Sequence, residues 1–216
     1  IVDEKRRKFA GMLAALDAAI GNILGKLNET GLTDDTLLIF ISDNGGPTAQ
    51  TTSQNGPLRG FKSQLLEGGI RVPFMMQWPG QIPAGTTYSN PVISLDILPT
   101  VIAAAGGSLD ASSKCEGVNL TPHLNGKNSG APHETLYWRQ GEQFAVREGD
   151  YKLVLQAGEP LSLYNLAKDI HEDQNLAAQM PEKVNELKTA WDAWNATNIA
   201  PLWDRNPRQR ERAVTR

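Results

Sequence analysis

Apolar residues recur at helical spacing over the first part of the chain. Across residues 3–27 they stand three or four positions apart and define one face of a helix. A second face carries small residues, which allow a neighbouring element to approach closely. We therefore expect one long helix that packs on a sheet and is covered on more than one side. Gly31 is suited to the left-handed conformation that often follows a helix.

The next apolar run, residues 37–41, does not alternate with polar positions. A continuous apolar run is typical of a strand covered on both faces, and the order helix, turn, strand favours a parallel or mixed sheet. Ligands in such α/β sheets bind beyond the carboxyl ends of the strands. Asp43 and Asn44 follow this strand directly, so we expect them at the rim of a site.

A long polar segment, residues 47–69, comes next and is rich in Gly, Ser, Thr and Gln. Long loops in compact domains are usually functional or disordered. Its glycines are expected to let the main chain approach a ligand closely. Arg59 and Arg71 are interpreted as partners of Glu67 or of other buried acids that hold the loop in shape.

Regular elements resume after this loop. Residues 71–78 are predicted to form a strand, and residues 95–105 a helix that begins at Ser94 or Asp96. A helix cap explains Asp96 better than a catalytic role does. Residues 108–132 lack a periodic pattern and are expected to form a loop.

From residue 134 the pattern changes to short strands bounded by Gly, Pro or charged turns, which predicts an antiparallel meander. Residues 181–194 then carry apolar positions at helical spacing and are expected to cover that sheet as an amphipathic helix. The predicted strands are residues 135–139, 144–147, 151–155 and 162–165.

Composition narrows the class of protein. The chain has 216 residues, of which 40% are hydrophobic, and a formal net charge of −3. These values favour a globular chain of one large or two small domains and give no reason to expect nucleic acid as a partner. No signal peptide is recognisable and no membrane span is expected. The chain begins without methionine inside a predicted helix, so we expect it to be a piece of something longer. Cys115 is the single cysteine and has no partner for an intrachain disulfide.

Three motifs together resemble a known family. They are Phe-Ile-Ser-Asp-Asn-Gly-Gly at residues 40–46, Pro-Leu-Arg-Gly-Phe-Lys at 57–62 and Glu-Gly-Gly-Ile-Arg-Val-Pro at 67–73. This combination resembles the carboxyl-terminal half of the type I sulfatases, within the alkaline-phosphatase-like superfamily. The resemblance extends from Lys8 to about Ala177.

The resemblance implies a fold class and a division into domains. The fold is expected to be α/β, a partial alkaline-phosphatase-like sulfatase core with a parallel or mixed sheet and helices, plus a small carboxyl-terminal antiparallel sheet with a covering helix. Residues 1–133 would then belong to the catalytic α/β domain and residues 134–204 to the small subdomain. Residues 205–216 would form a solvated basic tail.

The resemblance also implies roles for individual residues. Asp43 and Asn44 would bind a calcium ion, and oxygen ligands of this kind suit calcium. Lys62 would contact the sulfate group of a sulfate ester substrate and serve as a catalytic residue. His133 is a weaker candidate for substrate binding, near the start of the carboxyl-terminal sheet. The three histidines have no metal-ligand spacing. A periplasmic, secreted or lysosomal-type location is expected from the family.

The chain lacks the nucleophile that such chemistry requires. Sulfatases use a formylglycine made from the Cys or Ser of a Cys/Ser-x-Pro-x-Arg motif, and this motif is absent here: Asn55 stands where the nucleophile would precede Pro57, and Cys115 is followed by Glu-Gly-Val. The chain is expected to need the missing amino-terminal half, or an oligomer partner, and to be inactive alone. Two alternatives stay open: a phosphate or phosphonate monoester hydrolase of the same superfamily, or a non-catalytic sulfatase-like binding module.

Overall fold

The computed structural model describes residues 1–110 and 112–200, which form two compact units. The first unit comprises Ile1–Asp43, Ala49–Ser53 and Val72–Glu134, and the second comprises Asn44–Thr48, Gln54–Arg71 and the described residues from Thr135 onward. The predicted basic tail lies outside the described residues. The elements in chain order are α1 (Glu4–Glu29), β1 (Leu38–Ile41), α2 (Thr48–Thr51), α3 (Glu67–Ile70), β2 (Phe74–Gln77), a 3-10 turn (Ser94–Asp96), α4 (Ile97–Ala104), α5 (Thr121–Leu124), β3 (Thr135–Gln140), β4 (Gln143–Glu148), β5 (Tyr151–Leu155), β6 (Ser162–Asn165) and α6 (Pro181–Ala196).

Helix α1 dominates the first unit and has the predicted extent. Asp3 begins it, because its carboxylate accepts a 2.6 Å hydrogen bond from the N–H of Arg6. Gly31 follows the helix with a φ of 70°, the left-handed conformation predicted for it.

Strands β1 and β2 pair antiparallel, with Leu38 opposite Gln77 and Ile41 opposite Phe74. The order of elements predicts a parallel or mixed sheet, so the direction of this pair differs from that expectation. Parallel neighbours need a crossover, usually a helix, that returns the chain to the same end of the sheet. Between β1 and β2 the chain forms only the single-turn helices α2 and α3, and it re-enters the sheet in the opposite direction.

The expectation that α1 and β1 are covered on both sides is not met among the described residues. No residue of α1 is buried, and every residue of β1 is only half-buried. Met12, at 70% exposed, and Ile23, at 55%, show how open the apolar face is. By length and composition alone α1 could cross a membrane, a test that core helices of soluble proteins also pass. Contiguous exposed apolar surface of this kind marks an interaction surface.

Asp96 organises the end of the first unit. Its buried carboxylate accepts hydrogen bonds from the N–H of Ile93, at 2.9 Å, and from the N–H of Val118, at 2.8 Å. The first of these closes the 3-10 turn ahead of α4, so Asp96 caps that turn and not α4 itself. The structural role predicted for Asp96 is confirmed in this form.

The second unit contains the predicted meander. β3, β4, β5 and β6 form an antiparallel sheet in sequence order, and their bounds match the predicted strands closely. Helix α6 covers one face, where Leu187 and Trp191 pack against Phe144, Val146 and Leu153. Side chains alternate between the two faces of a strand, so the opposite face must be covered by something else.

The polar loop between the first two strands covers that opposite face. Leu65 and Leu66 of the loop are buried against Ala145, Val154 and Tyr164, which point to the side away from α6. The part of the loop around Leu65 and Leu66, which lies between the second and third motifs, is thereby held on the sheet of the second unit.

Candidate active-site segment

Lys62 lies at the tip of a tight turn in the second unit. The carbonyl of Phe61 accepts a 3.0 Å hydrogen bond from the N–H of Gln64, and the N–H of Phe61 donates in return to Oε1 of Gln64, at 3.2 Å. Ser63 has a φ of 74°, the positive value that the third position of a type II turn requires. Lys62 is exposed and has no ion pair with any residue that the structure describes. Its ammonium is therefore available to an anion from outside.

Asn55 ties this turn to Gly46, another residue of the second unit. Its side-chain amide donates to the carbonyl of Gly46, at 3.0 Å, and to the carbonyl of Gly60, at 3.1 Å, while its oxygen accepts from the N–H of Gly46, at 2.8 Å. One side chain thus links the segment directly after Asn44 to the residue that precedes the Lys62 turn. The sequence singled out Asn55 only as the residue standing in place of a nucleophile.

Glycines around the Lys62 turn allow main chain to pack closely on main chain. The N–H of Gly45 donates to the carbonyl of Gly69, at 2.9 Å. A Cβ on Gly45 would lie 1.8 Å from the carbonyl oxygen of Gly68, and one on Gly69 would lie 2.1 Å from the carbonyl oxygen of Gln64. These two glycines thus let main chain approach main chain, and close approach of the loop to a ligand stays a prediction. Any side chain there would push the Lys62 turn away.

We expect Gly45→Ala to destabilise the protein by about 1–3 kcal/mol, because the added methyl group meets backbone that cannot move aside cheaply. Gly21→Ala is the matched control: a Cβ there meets nothing within 4 Å, and alanine is favoured over glycine in a helix by about 0.5–1 kcal/mol. Urea unfolding of both variants measures the two changes. Equal midpoints for the variants would contradict the close packing at Gly45.

A buried charge cluster lies beneath the loop. Nζ of Lys152, on β5, lies 2.8 Å from Oε1 of Glu67 and 2.8 Å from Oε1 of Glu172. Oε2 of Glu172 accepts a 2.7 Å hydrogen bond from the N–H of Glu67. All three side chains are almost completely buried. Charges in such a place are tolerated only when they are paired and hydrogen-bonded.

Two arginines complete the cluster at its edge. Nη1 of Arg71 lies 3.8 Å and Nη1 of Arg147 lies 3.9 Å from Oε2 of Glu67. Burial raises the pKa of the Glu172 carboxyl, and the ammonium of Lys152 opposes that shift. Burial likewise lowers the pKa of the Arg147 guanidinium, against the attraction of Glu67. In both cases desolvation is the larger effect, as expected for charges withdrawn from water.

The interpretation of the two loop arginines as partners of buried acids is confirmed for Arg71 but not for Arg59, whose partners are a main-chain carbonyl and an exposed acid. Arg71 faces Glu67, as described above. Nη1 of Arg59 donates a 2.6 Å hydrogen bond to the main-chain carbonyl of Glu172, and Nη2 lies 3.5 Å from Oε2 of Glu159. Both arginines therefore have partners within the second unit, whereas Lys62 has no ion pair among the residues that the structure describes.

Asp43 and Asn44 directly follow β1, as the sequence requires. Asp43 is exposed and Asn44 is half-buried. Their carboxylate and amide oxygens fit calcium in chemistry, but two side chains fall short of the six to eight oxygens that calcium takes. Among the described residues there is no group of three or more His, Cys, Asp or Glu that could hold a metal. A calcium ion bound there would need further oxygen ligands.

His133 lies in the first unit, where its ring contacts the carboxylate of Asp96. Its Nε2 lies 2.8 Å from Oδ1 and 3.0 Å from Oδ2 of the buried Asp96 carboxylate. The prediction that His133 contacts substrate therefore rests on the family resemblance alone.

Lys152 and Glu172 were missed in the sequence. Lys152 stands within an otherwise apolar strand, Tyr-Lys-Leu-Val-Leu, where its alternation with Leu153 places it on the same face as Val154. A lysine at an inward-facing position needs a buried acid as partner, and this was the available signal. Glu172 gives no such signal, because it lies in a polar segment without periodicity.

Comparison with solved structures defines the class of fold. The structure superimposes on that of Ps i-CgsB in complex with k-i-k-neocarrahexaose with a TM-score of 0.88 and 30% sequence identity, covering 97% of this chain and 47% of the other. It also matches the PsFucS1 sulfatase from Pseudoalteromonas sp. with a TM-score of 0.72 and 26% identity, over 85% of this chain and 41% of the other. The fold is that of the alkaline-phosphatase-like sulfatases.

Comparison of sequences then identifies the family. A family model described as Sulfatase matches residues 2–108, and one described as N-sulphoglucosamine sulphohydrolase, C-terminal, matches residues 61–194. Arylsulfatase A from Homo sapiens is 34% identical over 217 residues, covering 85% of this chain and 42% of the relative. The chain belongs to the sulfatase family, and it spans about two fifths of the length of the curated relatives it matches.

Proposed function

We propose that this chain is the carboxyl-terminal part of a calcium-dependent sulfatase that hydrolyses a sulfate monoester to an alcohol and inorganic sulfate. In this proposal the chain supplies contacts to the metal and to the sulfate group, and an amino-terminal portion supplies the formylglycine nucleophile. We call the two portions joined together the full-length enzyme. Family membership supports the reaction class, and a periplasmic, secreted or lysosomal-type compartment belongs to the same proposal.

The observation that carries the proposal is the Lys62 turn. An exposed ammonium stands at the tip of a turn whose backbone is held by Gln64, by Asn55 and by close glycine packing. A positive charge that is already fixed where negative charge develops stabilises the transition state, because the protein need not reorganise during the reaction. Lys62 would bind the non-bridging oxygens of the sulfate group and orient the ester.

Asp43 and Asn44 would hold calcium together with ligands from the amino-terminal portion. When bound, the ion would neutralise charge on the sulfate oxygens as a Lewis acid. The exposed carboxylate of Asp43 would provide the negative charge of the site on this chain, and the amide oxygen of Asn44 a neutral ligand.

Asp43→Ala is expected to abolish or strongly weaken calcium binding in the full-length enzyme, because it removes the charged ligand from this chain. Calorimetric titration with calcium measures the change. Asp35→Ala is the matched control, because Asp35 is an exposed aspartate that precedes β1 in the chain. This variant should bind calcium like the parent. Unchanged calcium binding by Asp43→Ala would overturn the metal assignment.

The substrate assay should discriminate the proposed reaction from its closest alternative. An aryl sulfate and an aryl phosphate offered to the full-length enzyme differ in the transferred group and share the leaving group. Preference for the phosphate would favour the phosphate monoester hydrolase. Because Ps i-CgsB was solved with a neocarrahexaose, sulfated oligosaccharides are the natural second panel of substrates.

A further inference from the structure

Glu172 is attached to its surroundings at three points, although it lies far in sequence from every proposed site residue. Its carboxylate pairs with Lys152 through Oε1, at 2.8 Å, and accepts from the N–H of Glu67 through Oε2, at 2.7 Å. Its main-chain carbonyl accepts from Nη1 of Arg59, at 2.6 Å. Its backbone has a φ of 58°, a conformation that is uncommon for residues other than glycine.

Two of these three attachments bracket the Lys62 turn. Arg59 precedes the turn and Glu67 follows it, at separations of 113 and 105 residues from Glu172. The turn between them is therefore held at both ends by one residue. Neither end can shift without breaking a hydrogen bond to Glu172.

We propose that Glu172 is a positioning residue for Lys62: it clamps both ends of the segment from Arg59 to Glu67, so that the Lys62 ammonium is presented at a fixed place. The inference rests on the proposed function as far as Lys62 binds the sulfate group. The clamp itself is a statement about the loop and can be tested without any substrate.

The chemistry of the clamp requires a carboxylate. Oε1 forms an ion pair with Nζ of Lys152, and Oε2 accepts a hydrogen bond from the N–H of Glu67. A carboxamide has one oxygen and one NH2 group, so Glu172→Gln must lose one of the two contacts. The same change leaves Lys152 and Glu67 as a balanced buried pair, whereas Lys152→Met would remove the cation that contacts both buried carboxylates and leave only the guanidinium groups of Arg71 and Arg147, at 3.8 and 3.9 Å from Glu67. Glu172→Gln is therefore the variant that releases the clamp with least damage to the unit.

The first experiment measures hydrogen exchange at the amides of Gln64, Gly68 and Gly69 in the full-length enzyme. In Glu172→Gln we expect these amides to exchange about tenfold faster or more, while amides of β3 to β6 keep their protection. Glu148→Gln is the matched control, because it makes the same substitution at a carboxylate paired with Lys183, which is on α6. Unchanged exchange in the loop, or equal acceleration throughout the sheet, would overturn the proposal.

The second experiment is a double-mutant cycle on kcat/KM for an aryl sulfate. Glu172→Gln alone should lower kcat/KM by about tenfold to a hundredfold, the effect of a small misplacement of a binding group. In a Lys62→Ala background the same substitution should change it by less than about threefold, because it acts through Lys62. A full effect in both backgrounds would contradict the assignment.

Arg59→Met is a second variant that tests the clamp if Glu172→Gln does not fold. It removes the donor to the Glu172 carbonyl from a side chain at the solvent edge and keeps the apolar stem. Faster exchange at the amides of Gln64 and Gly68 is again expected, and unchanged exchange would overturn the clamp. If Lys62→Ala leaves catalysis intact, the proposed function fails, and the exchange experiment still decides the clamp.

Discussion

Lys62→Ala in the full-length enzyme is expected to lower kcat/KM for an aryl sulfate by about 30-fold to 900-fold. The lost contact corresponds to about 2–4 kcal/mol of transition-state stabilisation, the range found for charges and donors that are fixed ahead of the reaction in a site shielded from water. Lys62 has the features such a contact requires, since it is exposed at the tip of a braced turn and is not engaged by a described acid.

Lys168→Ala is the control for this prediction. Lys168 is also an exposed lysine of the second unit, but it lies beyond β6 and outside the motif segment. Its loss should leave catalysis within about twofold, as is usual for a solvated surface charge. If Lys62→Ala also stays within a few-fold of the parent, Lys62 is a surface residue and the sulfate contact belongs elsewhere.

The chain of residues 1–216 by itself is expected to show no enzyme-like turnover of sulfate esters and to associate in solution. It contains no Cys/Ser-x-Pro-x-Arg motif to supply a nucleophile. Residues that stabilise charge on the sulfate group would therefore have no attacking group to assist. The apolar face of α1 supplies the reason for association: Met12 and Ile23 are more than half exposed, and half-buried β1 offers further apolar surface.

An aryl sulfate assay and a sizing measurement on the purified chain test this prediction together. Co-expression with an amino-terminal portion that carries the nucleophile should restore turnover and suppress self-association, because that portion would cover the apolar face. A monodisperse monomer with calcium-dependent turnover would contradict both halves of the prediction.

The strands and the longer helices α1, α4 and α6 could be predicted from the sequence because each has a local cause. The four strands of the meander lie between Gly, Pro or charged turns, and α6 repeats its apolar positions every three or four residues. The cap at Asp3 and the left-handed Gly31 likewise depend on neighbours a few positions away. Direction of pairing is not local, which is why the antiparallel pair of β1 and β2 was not anticipated.

The residues of the candidate site that lie within the sequence motifs could be predicted. Asp43, Asn44 and Lys62 were identified from consecutive residues and their resemblance to a family. The contacts that hold the Lys62 turn could not be predicted from the sequence. They are made by Glu172, through hydrogen bonds to residues more than 100 positions away in the chain. No period or spacing in a sequence encodes such a contact.

The sequence by itself determined the longer helices α1, α4 and α6, the strands, the family and the residues that meet the sulfate group in our proposal, because these follow from periodicity, turn chemistry and contiguous motifs. Only the tertiary structure decided that the glycine-rich loop packs on the face of the meander away from α6, and that Lys152 and Glu172 are buried beneath it. The physical reason is desolvation: a carboxylate or an ammonium can leave water only where a partner from a distant part of the chain meets it.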